Sequence, residues 1–221
     1  MLDEQSMKPS LSKVCFYIMT VDTGFAPNPF HEVCTLAACT PNHCRANLYE
    51  GDLIAGCFRS GGPPLVVYVM EVDAVLTLDQ YYRDTRFAAK KPLRNKTWIE
   101  RTGDNIYYRD GKWCQDTNAQ HHKTTPIDPV KNPNPEWKRD LKGDRVYIGK
   151  RFIYFGEQAQ PLPERFACYL PGRGVKYLKN DQKVFEDFSG WAFKHPLGLV
   201  GFPRDRESSA TCAKPSKCRS C

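Results

Sequence analysis

Leu53-Ile54-Ala55-Gly56-Cys57-Phe58, then Ser60-Gly61-Gly62-Pro63-Pro64, then Leu65-Val66-Val67-Tyr68-Val69-Met70-Glu71-Val72 decide the fold. Two apolar runs, the second β-branched and continuous, flank a cluster of glycines and prolines. Such runs fit a pleated sheet, and Gly and Pro mark the chain reversal. The reading is an antiparallel pair at the centre of a sheet. Working outward, residues 14–21 form another buried strand, with Gly51-Asp52 as the turn into the central pair. Downstream, Thr77-Leu78-Asp79-Gln80 has the spacing of a capping box, in which Thr77 caps a short helix and Gln80 reaches back. Asp110-Gly111 is a hairpin turn signal that puts Tyr107 and Trp113 on paired strands. Asp144-Arg145-Val146-Tyr147-Ile148 and Phe152-Ile153-Tyr154-Phe155-Gly156 read as a further hairpin. Val184, Phe185, Phe188, Trp191 and Ala192 follow helical spacing, which predicts an amphipathic helix closing over the sheet. The expected class is α+β: a twisted, mostly antiparallel sheet or partial β-barrel with a few packing helices, at Leu78 and Val184.

The chain has 221 residues, 41% of them hydrophobic, enough for a substantial core. Its 32 Lys and Arg exceed its 25 Asp and Glu, for a net charge of +7. That moderate excess is compatible with a polyanionic partner. No apolar run reaches the roughly 20 residues of a membrane helix, and residues 1–10 lack the apolar centre of a signal peptide. The expectation is a cytoplasmic, soluble protein with no membrane partner. Of the ten cysteines, most are expected as reduced, packing thiols, with Cys15 and Cys57 in strands and Cys168 beside Phe166. Cys34, Cys39, Cys44, His31 and His43 lack the tight spacing of a zinc site, and the tail cysteines lack a fourth ligand. Neither a metal nor a cofactor is expected. Residues 1–10 read as an extension, 11–205 as the domain and 206–221 as a disordered tail. Residues 124–135, with four prolines, read as a flexible insert.

Chemistry concentrates in three stretches. The first is Asp22-Thr23-Gly24-Phe25-Ala26-Pro27-Asn28-Pro29-Phe30. Gly24 opens backbone angles closed to other residues, while Pro27 and Pro29 fix φ, so the loop is stiff. It can present a carboxylate, an amide and flat apolar faces together, or Phe25 and Phe30 can simply plug the core. In the second, residues 83–101, cations alternate with aromatics. Lys90, Lys91 and Arg94 are candidates for a nucleic-acid backbone, as phosphates attract Lys and Arg and unstacked bases attract rings. A solvated loop has the same composition. The third is Gly103-Asp104-Asn105-Ile106-Tyr107-Tyr108-Arg109-Asp110, followed by His121-His122. A histidine here could work with Asp104 as an acid/base pair, or both imidazoles could be surface groups.

Taken together these stretches resemble a bacterial and phage family, the nucleotide modification associated domain of type two, whose members are often labelled DNA base hypermodification proteins. The resemblance rests on residues 22–41 (DTGFAPNPF through CTLAAC-x-P), on GDLIAG (51–56), and on VYVMEV with YYRDTRF (67–87). It continues through GDNIYYRD and HH (103–122), YFG (154–156), GRG (172–174) and GLVGFP (198–203). The pattern departs after Pro41, where Asn42-His43-Cys44-Arg45 stands in place of an apolar-basic pair. A fainter likeness is to the small PUA-like barrels of the EVE, ASCH and YTH type, which hold a base in an aromatic-lined cavity. The resemblance implies a component of a DNA base modification pathway. Its partners would be DNA or a modified nucleotide and the base-modifying enzymes of that pathway. A flipped or free base would stack on rings and be read at its polar edge, with Phe25, Asn28, Phe30, Asn105, Tyr107 and Trp113 as the binding set. The alternative is an enzyme that transfers or hydrolyses a group on a nucleotide, with Asp22, Asp104, His121 and His122 moving protons. A third reading is an interaction subunit, for which the DTGFAPNPF loop should be packed with no cavity beside it.

Overall fold

In chain order the strands are β1 (Val14–Ile18), β2 (Cys34–Leu36), β3 (Leu53–Phe58), β4 (Leu65–Glu71), β5 (Ala74–Leu76) and β6 (Tyr107–Asp110). They continue with β7 (Lys112–Gln115), β8 (Val146–Gly149), β9 (Phe152–Tyr154), β10 (Gln160–Pro161), β11 (Val175–Leu178) and β12 (Gly198–Leu199). Among the described residues the α-helices with defined bounds are α1 (Leu78–Arg83), α2 (Trp98–Arg101), α3 (Glu164–Ala167) and α4 (Gln182–Ala192), with 3₁₀ turns at Thr85–Lys90 and Gly156–Gln158. This computed structural model describes residues 12–38, 46–59, 61–120, 137, 140–172, 174–178 and 181–206. The expected extension at 1–10, the insert at 124–135 and the tail beyond Arg206 lie outside the described residues.

The central pair forms as read, β3 antiparallel to β4, within a sheet ordered β11-β1-β3-β4-β9-β12, with β10 added beside β4. Two contacts are parallel, β1 with β3 and β9 with β12. Side chains alternate across the sheet as the pleat requires. Cys15, Tyr17, Ile54 and Met70 fill one core, and Val14, Phe16, Leu53, Ala55 and Val69 the other. The alternation breaks at Val67-Tyr68, both of which face the first core. There Gly56 opposes Tyr68 but Cys57 opposes Val66, so Val67 is the extra residue of a β-bulge. The second core is closed by α4, whose Phe188 and Ala192 are buried. Its cap, Asp181, accepts from the Val184 N–H at 3.0 Å.

The expected hairpin over 144–156 does not form. β8 instead centres a second antiparallel sheet, β2-β8-β5, while β9 joins β4 and β12 in the first. Val146 and Ile148 bury in a third core, and Ile153 in the second. The segment from Gly149 to Phe152 therefore crosses between sheets. Strands buried on both faces read as uniformly apolar runs, so nothing in their pattern names a partner. The third core lies between this sheet, α1 and the β6–β7 hairpin, which pairs Arg109 with Trp113 and Tyr107 with Gln115. The architecture is mixed α+β, with no closed barrel among the described residues. Cys15, Cys34 and Cys57 pack as expected, whereas Cys168 is exposed. Residue 168 follows the one-turn helix α3, whose Phe166 alone takes the buried position.

Candidate functional site

The loop after β1 is tied down at both ends. Asp22 is buried, and its carboxylate accepts from the Tyr154 hydroxyl and from the Arg204 N–H at 3.1 Å. Its own N–H donates to Asp205 Oδ2 and its carbonyl accepts from the Asp205 N–H, both at 2.8 Å. Burial pushes the Asp22 carboxyl above its ordinary pKa, against the pull of those two donors. At the far end Asn28 and Thr35 exchange backbone bonds of 2.8 and 3.0 Å. The Asn28 amide donates to the Thr102 carbonyl at 3.0 Å, linking this loop to the end of α2.

Lys90 fastens the same loop from inside. Its ammonium donates to Asn28 O and Asn28 Oδ1, each at 2.9 Å, and to Val33 O at 2.6 Å. Only 1% of Lys90 is exposed, and burial pushes its pKa down to about 8, with the nearby Asp104 charge opposing. Asp104, fully buried, accepts from Thr35 Oγ1 at 2.7 Å and from the Tyr81 hydroxyl at 2.8 Å. Desolvation raises its carboxyl pKa, while Lys90 and the two hydroxyls lower it. Gly103, just before, has no room for a side chain: a Cβ would lie 2.3 Å from Lys90 O and 2.6 Å from Pro92 N. A small residue is what lets the two backbones meet.

Above this buried frame lies a cleft of about 150 Å³ lined by Thr23, Phe25, Trp98, Arg101, Thr102, Gly103, Gln120 and Asp205. Phe25 comes from the first stretch; Arg101, Thr102 and Gly103 lead into the third. The Trp98 side is backed by Phe30, ring to ring at 5.3 Å. Two aromatic faces, a guanidinium, an amide, hydroxyls and a carboxylate therefore share one small concavity. An apolar cavity of roughly 150 Å³ accepts a benzene-sized ring, so the cleft offers room for a small planar ring.

The sequence-expected residues separate into layers. Phe25 lines the cleft, and Phe30 lines a different cavity behind Trp98. Asn28 is buried with its side-chain oxygen and nitrogen both bonded, so it ties the loop in place. Asn105 and Tyr107 are buried beneath: the Asn105 amide donates to Tyr81 O and Phe87 O, and the Tyr107 hydroxyl to Asp140. Trp113 lies half-buried under the Arg109 guanidinium, 4.3 Å from its ring centroid. Lys90 is corrected outright as a phosphate contact, because its ammonium is spent on three backbone and amide oxygens. Lys91 sits over the Tyr82 ring at 3.7 Å, and exposed Arg94 donates to Thr117 O. As an acid/base group Asp104 is held by Thr35 and Tyr81, and Asp22 by Tyr154 and Arg204. His121 and His122 lie outside the described residues. A family model described as nucleotide modification associated domain 2 matches residues 11–210.

The chain belongs to the nucleotide modification associated domain 2 family. No curated protein and no solved structure matches it. In this Nmad2 domain the cleft residues that sequence reasoning missed are Thr23, Trp98, Arg101, Thr102, Gln120 and Asp205. One signal was present for the wall of the cleft. Thr97-Trp98-Ile99-Glu100 is a capping box, with Thr97 Oγ1 accepting from the Glu100 N–H and Glu100 reaching back to the Thr97 N–H at 3.0 Å. Asp205 had no local signal, since it arrives from 183 residues away along the chain. Among the described residues no group of three His, Cys, Asp or Glu could hold a metal, and no helix is long and apolar enough to cross a membrane.

Proposed function

We propose that this Nmad2 domain serves nucleotide modification by reading one base, modified or awaiting modification, in the cleft between Phe25 and Trp98. The family ties the chain to nucleotide modification. One observation carries the finer reading: two stretches far apart in sequence, the DTGFAPNPF loop and the segment through Arg101-Thr102-Gly103, converge on a ring-sized cleft. The rings provide stacking surface, worth about 1–3 kcal/mol per base. Arg101, Gln120 and Thr23 provide donors for a polar edge, and Asp205 and the Thr102 oxygen, whose proton goes to the Trp98 carbonyl at 2.6 Å, provide acceptors. The sugar and phosphate extend out of a cavity this small, which lets the partner be a free nucleotide or an unpaired base in DNA.

A cavity beside the loop favours this reading over a pure interaction subunit. The acid/base reading draws less support, because both candidate aspartates are committed to internal donors. Tryptophan fluorescence, titrated with modified and unmodified nucleoside monophosphates, tests the proposal. Saturable quenching with a preference among bases is expected, and Trp98→Leu, which keeps apolar bulk but removes the broad ring, should weaken binding roughly tenfold. Equal weak binding of every nucleotide, unchanged by Trp98→Leu, overturns base reading in this cleft.

A further inference from the structure

Behind the Phe30–Trp98 contact lies a second and larger cavity of about 640 Å³. Phe30, Ile99, Phe152, Leu197 and Leu199 form most of its apolar wall, and the exposed residues His31, Glu32 and Lys150 supply its polar groups. The same three border an adjoining cavity of about 410 Å³. Small-molecule sites are typically about 300–1,000 Å³, mostly apolar, with a few placed polar groups. Its volume and mixed lining fall within that description, and it opens to solvent at Leu197 and Leu199, both exposed.

His31 and Glu32 sit there in an unusual backbone state. Both are left-handed, with φ of 58° and 63°, though neither is glycine; such residues cost about 1–3 kcal/mol each and persist only where the surroundings impose them. The surroundings here are explicit. The Asn28–Thr35 backbone exchange closes the loop beneath them, and buried Lys90 bonds Asn28 O and Val33 O on either side of the pair. The fold thus holds a strained tip rigidly over the cavity.

Charge selects the ligand. Among the described residues neither the Glu32 carboxylate nor the Lys150 ammonium makes an ion pair, with each other or with anything else. In the adjoining cavity Arg86 pairs with Asp84, and Asp73 accepts from the backbone N–H of Lys150 without an ion pair among the described residues. Burial and the Lys90 charge lower the His31 pKa, which leaves its imidazole neutral at neutral pH. In the lining of the larger cavity one unpaired anion, Glu32, and one unpaired cation, Lys150, therefore stand beside an apolar wall. A simple carboxylate would leave Glu32 facing like charge, and a simple amine would do so to Lys150. A zwitterion meets both.

We propose that the cavity behind Phe30 binds a small zwitterion with an apolar side chain, of the class of an apolar or aromatic α-amino acid. Lys150 takes the carboxylate, Glu32 takes the ammonium, and Phe152, Leu197 and Leu199 receive the side chain. This site stands independently of base reading in the cleft. Calorimetric titration tests it with leucine, phenylalanine, leucinamide (no carboxylate) and 4-methylpentanoate (no ammonium). Leucine and phenylalanine should bind saturably at millimolar concentration or below, and each single-charge analogue should bind roughly tenfold or more weakly. Glu32→Gln should erase the preference over 4-methylpentanoate and Lys150→Met the preference over leucinamide, both without changing nucleotide binding in the cleft. Both side chains are exposed, so the variants keep the fold. Absence of saturable leucine and phenylalanine binding overturns the proposal. So do equal affinity for the single-charge analogues and preferences that survive both substitutions.

Discussion

Lys90 shows how far a residue's composition can mislead about its role. In sequence it belongs to a basic, aromatic-laced run; in the fold it is a buried clamp with three acceptors. Lys90→Met should lower stability by about 2–3 kcal/mol, because buried acceptors lose their donor, and urea unfolding measures it. Lys91 and Arg94 stay near the surface; if they contact phosphates of a bound single strand, a double Gln variant flattens its salt dependence by about 1.5 log units per log unit of salt. An unchanged slope would make that run a solvated face. Titration behaviour belongs to the residue scale as well. Burial pushes the Cys15, Cys34 and Cys57 thiols from 9.0 up to about 12. Above pH 9 the unfolded chain releases those protons while the folded chain keeps them, so their contribution is full below 9 and is lost towards 12. Lys90 acts oppositely: pushed from 10.5 down to about 8, it makes stability rise between those values. Three protons outweigh one, so the unfolding free energy should fall from pH 9 to 10. A rise over that interval would contradict the buried, reduced state of the three thiols.

At the scale of elements, local chemistry was legible wherever it was self-contained. The Thr77 capping box, the Asp110-Gly111 hairpin and the spacing from Val184 to Ala192 each encode their structure within a few residues, and each is present. Asp181→Ala should accordingly cost about 1 kcal/mol through the lost cap of α4. β8 and β9 were legible as strands but not as partners, because both are buried on two faces and pairing is decided by the sheets around them. The approach of the 3₁₀ turn at Thr85–Lys90 to the GDN segment was equally invisible, although its signature, Gly103, stands in the sequence. A Cβ there meets backbone and not a flexible side-chain end. Gly103→Ala should therefore destabilise by about 1–3 kcal/mol and weaken ligand binding in the cleft beyond the loss of fold. Thermal unfolding alongside nucleotide titration separates the two effects.

Across the whole molecule the stretches singled out in the sequence border the cleft, while several of their polar residues lie beneath it. Asn28, Asp104, Asn105 and Tyr107 are polar or amphipathic and close to the cleft, yet they build the frame beneath it. The lining itself comes from Thr23, Phe25, α2, Gln120 and Asp205, brought together by contacts up to 183 residues apart along the chain. Only tertiary structure decides which side of such a polar network meets solvent. The most direct test of the central claim is amide and indole chemical-shift mapping during titration with a modified nucleoside monophosphate. Shifts concentrated at Thr23, Phe25, the Trp98 indole, Arg101, Gly103 and Gln120, saturating together, are the predicted result. Shifts centred instead on Glu32, Lys150 and Leu199, or none that saturate, would contradict base reading in the cleft.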